Sequence, residues 1–224
     1  MTNLSTFVAT ARRHLTPIID RRGNILYSSG ATLRPGTVYL LGLNPGGDPH
    51  DPRHQEQTID SALRALPSKR ENEYLDVSWR EQGIRRAAGQ SNLQRRIQRL
   101  AEMLNLDLRD MCAANLIFAR SANAETSDYS ELAPICWPVH ELILGLVQPR
   151  LIIAFGNSGV SPYAFLLSKL TPASETMFPS GHGSWRCRAF TAGGMRVAGL
   201  PHLSRYAIDR HPPVGKWLNA LLAG

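Results

Sequence analysis

The sequence predicts an α/β fold of three layers, α/β/α, around a central, mostly parallel sheet of four strands. Three features carry that expectation. Continuous apolar runs at 37–43 and 150–155 lack the alternation of a half-solvated strand, so they read as strands buried on both faces. Each run empties into a loop rich in glycine or asparagine. Segments with helical spacing separate the strands, the pattern of right-handed βαβ crossovers with helices on both faces of the sheet. The 224 residues fit one domain, and no internal repeat or low-complexity segment divides them.

Residues 1–36 scatter turn formers (Arg22-Gly23-Asn24, Ser28-Ser29-Gly30, Pro35-Gly36) among short apolar pieces and read as a lead-in with one helix and a small hairpin. The first strand follows at 37–43. Residues 55–66 put Ile59, Leu63 and Leu66 on one helical face and stop at Pro67, and the stretch 67–90 is polar, holding Tyr74 and Trp79. Leu93, Ile97, Leu100 and Leu104 make the clearest amphipathic stripe, a helix over 92–104. Residues 111–118 are the second strand, 132–147 a helix after Pro134, and 150–155 the third strand, ending at Gly156. A helix over 162–170 leads into a long turn-rich connection at 176–188. The fourth strand lies within 189–200, centred on Met195 to Leu200, and a helix over 214–222 closes the chain.

Composition narrows the function classes. Hydrophobic residues are 43% and charged residues 19%, the balance of a globular protein rather than a disordered one. No apolar run approaches the roughly 18 residues of a membrane span, so no membrane association is expected. Residues 1–15 show no apolar run leading to a small-residue cleavage site, so a secretory signal is not expected. Cys112, Cys136 and Cys187 are far apart without a CxxC pair, which excludes a disulfide scaffold, a zinc ribbon and a four-cysteine cluster. The expected location is cytoplasmic. The formal charge is +7, and of 25 basic residues only Lys69, Lys169 and Lys216 are lysine. Such an arginine excess suits a polyanionic partner, because guanidinium forks onto phosphate oxygens; a genomic bias toward arginine codons is the plainer alternative.

Ligands of open α/β sheets bind at the carboxyl ends of the strands. Three loops therefore form the candidate site, 44–50, 115–123 and 201–205, with the loop after Phe155 as a weaker fourth. Gly42-Leu43-Asn44-Pro45-Gly46-Gly47-Asp48 is glycine-rich but lacks the Gly-Lys-Ser/Thr ending of a P-loop and the spacing of a dinucleotide fingerprint. Pro45 stiffens the turn, the glycines let a ligand approach the backbone, and a rigidly held Asn44 amide can orient water or read a polar ring edge; an Asn-Pro turn without a task is the alternative. Gly156-Asn157-Ser158-Gly159-Val160 lacks the last glycine of a nucleophile elbow and fits a helix N-terminus capped by Asn157 or Ser158. His50, Asp51 and His54 have metal-like spacing but no third or fourth ligand in view, so neither metal nor cofactor is expected. Arg80, Arg85, Arg86, Arg95, Arg96 and Arg99 face only Glu81 in that stretch, with Arg95 and Arg99 on one helical face. They read either as a solvated surface or as a phosphate-tracking one.

Taken together, the loops resemble the uracil-DNA glycosylase superfamily. Gly42-Leu43-Asn44-Pro45-Gly46 is similar to the Gly-x-Asn-Pro-Gly signature of its mismatch-specific and single-strand-selective branches. Ala114-Asn115 and the residues to Arg120 resemble the strand whose asparagine reads the uracil edge, and 151–156 resembles the strand that follows. Leu200-Pro201-His202-Leu203-Ser204-Arg205 stands where the second signature belongs, the ordered set covering about residues 37–210. That signature carries His or Asn before Pro-Ser. Aligned on Leu203-Ser204 it puts Gly199 at the His/Asn position, and aligned on Pro201 it puts Leu200 there, which leaves His202 displaced by two or three places. No aromatic directly follows Gly46, and three cysteines exclude the iron–sulfur branch.

The resemblance implies a DNA-repair hydrolase that flips uracil from DNA and cuts its N-glycosidic bond, needing no cofactor, metal or protein partner and acting as a monomer. It implies Asn115 as base reader, accepting from uracil N3–H and donating to O4, with Gly42, Leu43, Pro45 and Gly46 around the base and Tyr74 or Trp79 stacking on it. It implies Asn44 positioning the attacking water, Asp48 as a possible carboxylate substitute, and His202 donating to O2. Leu203, Ser204 and Arg205 would enter the gap left in the DNA, and Arg95 and Arg99 would track phosphates. Two other readings stay open: a catalytically silent binder of uracil or abasic DNA, and a small-molecule hydrolase or nucleotide-binding domain.

Overall fold

The computed structural model describes residues 4–123 and 128–224. In chain order its elements are α1 (Leu4–His14), β1 (Val38–Gly42), α2 (Ile59–Ala65), β2 (Arg80–Glu81), β3 (Ile84–Arg85), α3 (Asn92–Met103), β4 (Cys112–Asn115), α4 (Tyr129–Val147), β5 (Leu151–Phe155), α5 (Pro162–Leu170), β6 (Glu175–Pro179), β7 (Arg186–Ala192), β8 (Met195–Leu200) and α6 (Pro212–Ala223). The main sheet has the order β4-β1-β5-β8-β7-β6. Its first four strands are parallel and are the four expected from sequence. β6 and β7 add an antiparallel hairpin beside β8.

Strand side chains alternate between two cores, one on each face. Tyr39, Leu41, Ile152 and Ala154 pack toward α1, α4 and α5, while Val38, Leu40, Ile153 and Phe155 pack toward α3 and α6. Burial on both faces is why these strands read as unbroken apolar runs. α3 starts with a reciprocal capping box, Ser91 Oγ accepting from Gln94 N at 3.3 Å and Gln94 Oε1 accepting from Ser91 N at 3.0 Å, and it buries Ile97, Leu100 and Ala101. Removing such a cap costs about 1 kcal/mol.

Three expectations are corrected. The sheet has six strands, not four, because the segment read as a turn-rich connection holds β6 and the start of β7. At the edge β6 exposes Met177 by 62%, so no apolar run marks it, and Gly181 and Gly183 in the turn give a loop signal. α4 begins at Tyr129, ahead of Pro134, and continues through Pro138. A proline inside a helix costs about 3 kcal/mol, and here the continuous buried face of Leu132, Cys136, His140, Ile143 and Val147 outweighs it. Among the described residues the lead-in forms no hairpin of its own. Instead Gly23 bridges Ala119, Leu26 bridges Ala114, and Tyr27 N donates to Ala113 O at 2.8 Å. This segment thereby covers the open edge of β4. Gly23 is required for the approach, since a Cβ there would lie 2.1 Å from Phe118 O.

No helix among the described residues is long and apolar enough to cross a membrane. Cys112, Cys136 and Cys187 are free and buried, and burial pushes each thiol up to about 12, far from a reactive thiolate.

Candidate functional site

β1 lies between β4 and β5, so the chain leaving β1 passes to one side and later returns on the other. That reversal opens a crevice at the carboxyl ends of the strands. A cleft of about 1560 Å³ occupies it, lined by Asn44, Gly46, Asp48, Asn115, His202 and Arg205, with Leu43, Tyr74, Trp79 and Ser204 also on its wall. All three expected loops meet there.

Asn44 leaves β1 on a braced turn. Its Nδ2 donates to Pro45 O at 2.9 Å, to Ser121 Oγ at 2.9 Å and to Ser121 O at 3.3 Å. Ser121 N returns a bond to Pro45 O at 3.1 Å, and the Arg120 guanidinium holds Gly46 O. The amide nitrogen is thus fully used, and among the described residues no donor reaches its Oδ1.

Asn115, the last residue of β4, is the reverse case. It is only 4% exposed, and among the described residues its buried Nδ2 makes no hydrogen bond of good geometry, with the Tyr27 hydroxyl the neighbour within reach of the carboxamide. Such an orphan donor costs about 1–3 kcal/mol. Gly42 makes room for the side chain: a Cβ there would lie 2.1 Å from Asn115 Oδ1 and 2.9 Å from the Phe155 ring. The Tyr27 phenol faces the same carboxamide, and burial drives its pKa far up, so it stays a neutral hydroxyl. Behind Asn115, His140 Nε2 bonds Leu116 O at 2.9 Å and its Nδ1 bonds Tyr39 Oη at 2.8 Å.

His202 stands at the mouth of the loop after β8, its ring edge-on to Phe155 at 6.0 Å. Ser204 N donates to its Nδ1 at 3.2 Å, and Ser204 Oγ lies 2.7 Å from the same nitrogen. With Nδ1 accepting, the ring proton resides on Nε2. Burial, then the Arg205 charge, lowers its pKa, which keeps the imidazole neutral.

Several expected residues stand elsewhere. Leu203 is fully buried in the core beneath its loop, so it has no apolar tip to insert anywhere. Tyr74 is 1% exposed and packs against Tyr27 and Trp79 with centroids 5.6 and 5.7 Å away, so its ring has no free face to offer a base. Gly42 and Pro45 support the cleft from behind rather than lining it. Asp48 is exposed at the rim, its Oδ1 accepting from His50 N at 2.8 Å. Arg95 and Arg99 do not line the cleft: Arg95 bonds Asn92 Oδ1 at 2.9 Å, and Arg99 pairs with Glu102 at 2.7 Å beside a shallow groove against α6. The α3 arginine that touches the site is Arg96, whose Nη1 donates to Leu203 O at 2.7 Å. Asn157 and Ser158 do not cap α5, since Ser161 does so; Asn157 Nδ2 donates to Arg186 O and Gly199 O, both at 2.8 Å. Among the described residues no three or more His, Cys, Asp or Glu side chains are placed to hold a metal ion; Asp51 is instead engaged by Arg53, whose hydrogen bonds hold its carboxyl well below the usual range.

Three cleft residues, Asn24, Tyr27 and Phe155, carry no mark of the site in the sequence, whereas Ser121 lies within the expected 115–123 loop. The first two come from the lead-in, where turn formers mask their destination. Phe155 is marked only as the last residue of a buried strand before Gly156. No family model matches this chain, and no curated protein of matching sequence was found.

Proposed function

We propose that the cleft excises uracil from DNA, as in the uracil-DNA glycosylase superfamily that the loops resemble. The observation that carries the reading is the buried Asn115 Nδ2 in the cleft, 4% exposed and, among the described residues, without a hydrogen bond of good geometry, beside a second asparagine whose Oδ1 no donor of the described residues reaches. An extruded uracil presents O4 to that nitrogen and N3–H to the carboxamide oxygen, whereas cytosine presents the opposite pattern. Trp79, half-buried on the cleft wall, is the aromatic group at hand for a ring face. Water held by Asn44 Oδ1 attacks C1′ as the N1–C1′ bond breaks; the bonding pair leaves on uracil and the water's proton passes to solvent, with Asp48 at the rim. The neutral His202 donates Nε2–H to O2, where that charge accumulates.

The imidazole needs no displacement in this reading. His202-Leu203-Ser204 keeps a His-x-Ser order directly, with Leu203 at the proline position, which replaces the alignments on Gly199 and Leu200. The size of the cleft also favours a polymer, since small-molecule pockets run about 300–1,000 Å³. DNA is then the partner, with the protein acting alone and in the cytoplasm.

The test is base release from an oligonucleotide bearing one uracil, single-stranded or opposite guanine or adenine, with alkali revealing abasic sites. Wild type is expected to release uracil and Asn44→Ala to lose at least about 100-fold, the scale for one such group in a transition state. Tight, salt-sensitive binding without release would leave the silent binder; neither binding nor release would leave the small-molecule reading.

A further inference from the structure

The hairpin of β2 and β3 contains an arrangement that costs energy and that nothing in the cleft's base-reading chemistry uses. Arg80 and Arg85 are direct cross-strand partners, so their side chains rise from the same face of a two-stranded ribbon. Like charges placed opposite each other destabilise such a pair. Both side chains are exposed, and both line the cleft. Among the described residues neither forms an ion pair with a carboxylate; Arg80 Nη1 donates only to Gly83 O at 2.8 Å.

The ribbon is held in place rather than left loose. Its single acid, Glu81, also lines the cleft but is engaged elsewhere: Oε1 accepts from Asn92 N at 3.1 Å at the start of α3, and Oε2 lies 3.4 Å from Arg86 Nε. Arg86 N donates to Trp79 O at 2.8 Å, which ties the base of the ribbon to the cleft wall. Gln82 and Gly83 close it with φ of 51° and 77°, the positive pair of a tight hairpin turn. The ribbon's own carboxylate is therefore spent on Asn92 and Arg86 rather than on Arg80 or Arg85, and the two exposed arginines line the cleft with donors to spare.

The geometry points to an anion clasp: Arg80 and Arg85 together hold one phosphate group at the cleft rim, between a strand lying in the cleft and solvent. Two guanidinium groups sharing a phosphate convert their mutual repulsion into attraction to one charge, and each presents N–H groups in the fork that phosphate oxygens accept. The source assigned is a backbone phosphodiester of the nucleic acid, because the clasp opens into the same cleft as Asn115 and His202. This rests on the proposal that the cleft takes DNA, but not on its chemistry.

The experiment measures binding of a labelled, uracil-free oligothymidylate across a salt series with wild type, Arg80→Gln, Arg85→Gln and the double variant. One phosphate contact on a single strand contributes a slope of about 0.7 in log Kd against log salt. A shared phosphate predicts that either single variant loses about 0.7 of slope and that the double variant loses little more, with thermal stability unchanged or raised as the repulsion is relieved. An unchanged slope in the double variant overturns the clasp, as does an absence of binding by wild type. Losses that add to about 1.4 place the arginines on separate phosphates and overturn it too. A second arm adds inorganic phosphate alone: stabilisation of wild type but not of the double variant, with DNA slopes unaffected, would assign the pair to a free phosphate and overturn the strand assignment. Since the probe carries no uracil, a wild type that binds it but releases no base from the uracil-bearing oligonucleotide removes the excision reading and leaves the clasp standing.

Discussion

Asn44 and Asn115 stand at the carboxyl ends of neighbouring strands of one sheet, yet their amides are treated in opposite ways. Asn44 spends its nitrogen on three oxygens of its own and the facing loop, at 2.9, 2.9 and 3.3 Å. Asn115 leaves its nitrogen buried and, among the described residues, without a hydrogen bond of good geometry, with only the Tyr27 hydroxyl within reach. A fold that needed only stability would have satisfied both, or replaced the second by an apolar residue. On the proposed reading, the contrast separates a group oriented to present oxygen from a group kept vacant to donate.

The largest expected effect breaks the vacant half. Asn115→Leu removes the orphan donor while keeping the branched shape of the side chain, so thermal stability should hold or rise by about 1 kcal/mol. Uracil release should fall about 100- to 1,000-fold at the same time. Thermal melts and single-turnover release measured on the same preparation decide the matter. A loss of stability with activity retained would make Asn115 an ordinary structural amide.

A second prediction concerns what supports that vacancy. His140 braces the chain just after Asn115, and burial depresses its pKa to about 4. The unfolded chain, with the ordinary value near 6.5, binds the proton more readily between those two values. Stability is thus complete above about pH 6.5 and declines as the pH falls toward 4, by roughly 3 kcal/mol in total. In His140→Gln, the drop in melting temperature between pH 7 and pH 4.5 should be visibly smaller than in wild type. An equal drop would assign the acid sensitivity to carboxylates and remove His140 from the account.

What the sequence discloses of this comparison follows from how each part is stabilised. The four parallel strands are legible because burial on both faces demands unbroken apolar runs, and their carboxyl ends then locate Asn44, Asn115 and His202 without further information. The β6–β7 hairpin is not legible, since an edge pair gains its order from backbone bonds to β8 rather than from an apolar pattern of its own. Tyr27 is hidden for a similar reason: it reaches the cleft through isolated bridges, in a segment where every local signal is a turn. Leu203 illustrates the reverse error. A loop position beside His202 looks available to a ligand, and only the packing beneath the loop shows that its side chain fills the core.

The smallest expected effect sharpens the oxygen-presenting half. Ser121→Ala deletes one of three acceptors for Asn44 Nδ2 and leaves Pro45 O and Ser121 O in place. One hydrogen bond of this kind is worth about 0.5–1.5 kcal/mol, so release should slow by roughly 2- to 12-fold if the bond's only task is to aim Oδ1. Strand binding should not change, because Asn44 would act on water rather than on the base. The ratio of single-turnover rate to binding constant, compared with that for Asn44→Ala, gives the answer. A Ser121→Ala rate as low as that of Asn44→Ala would mean that the whole 44–46 turn had collapsed, and that the brace from the facing loop, more than the asparagine itself, builds the water site.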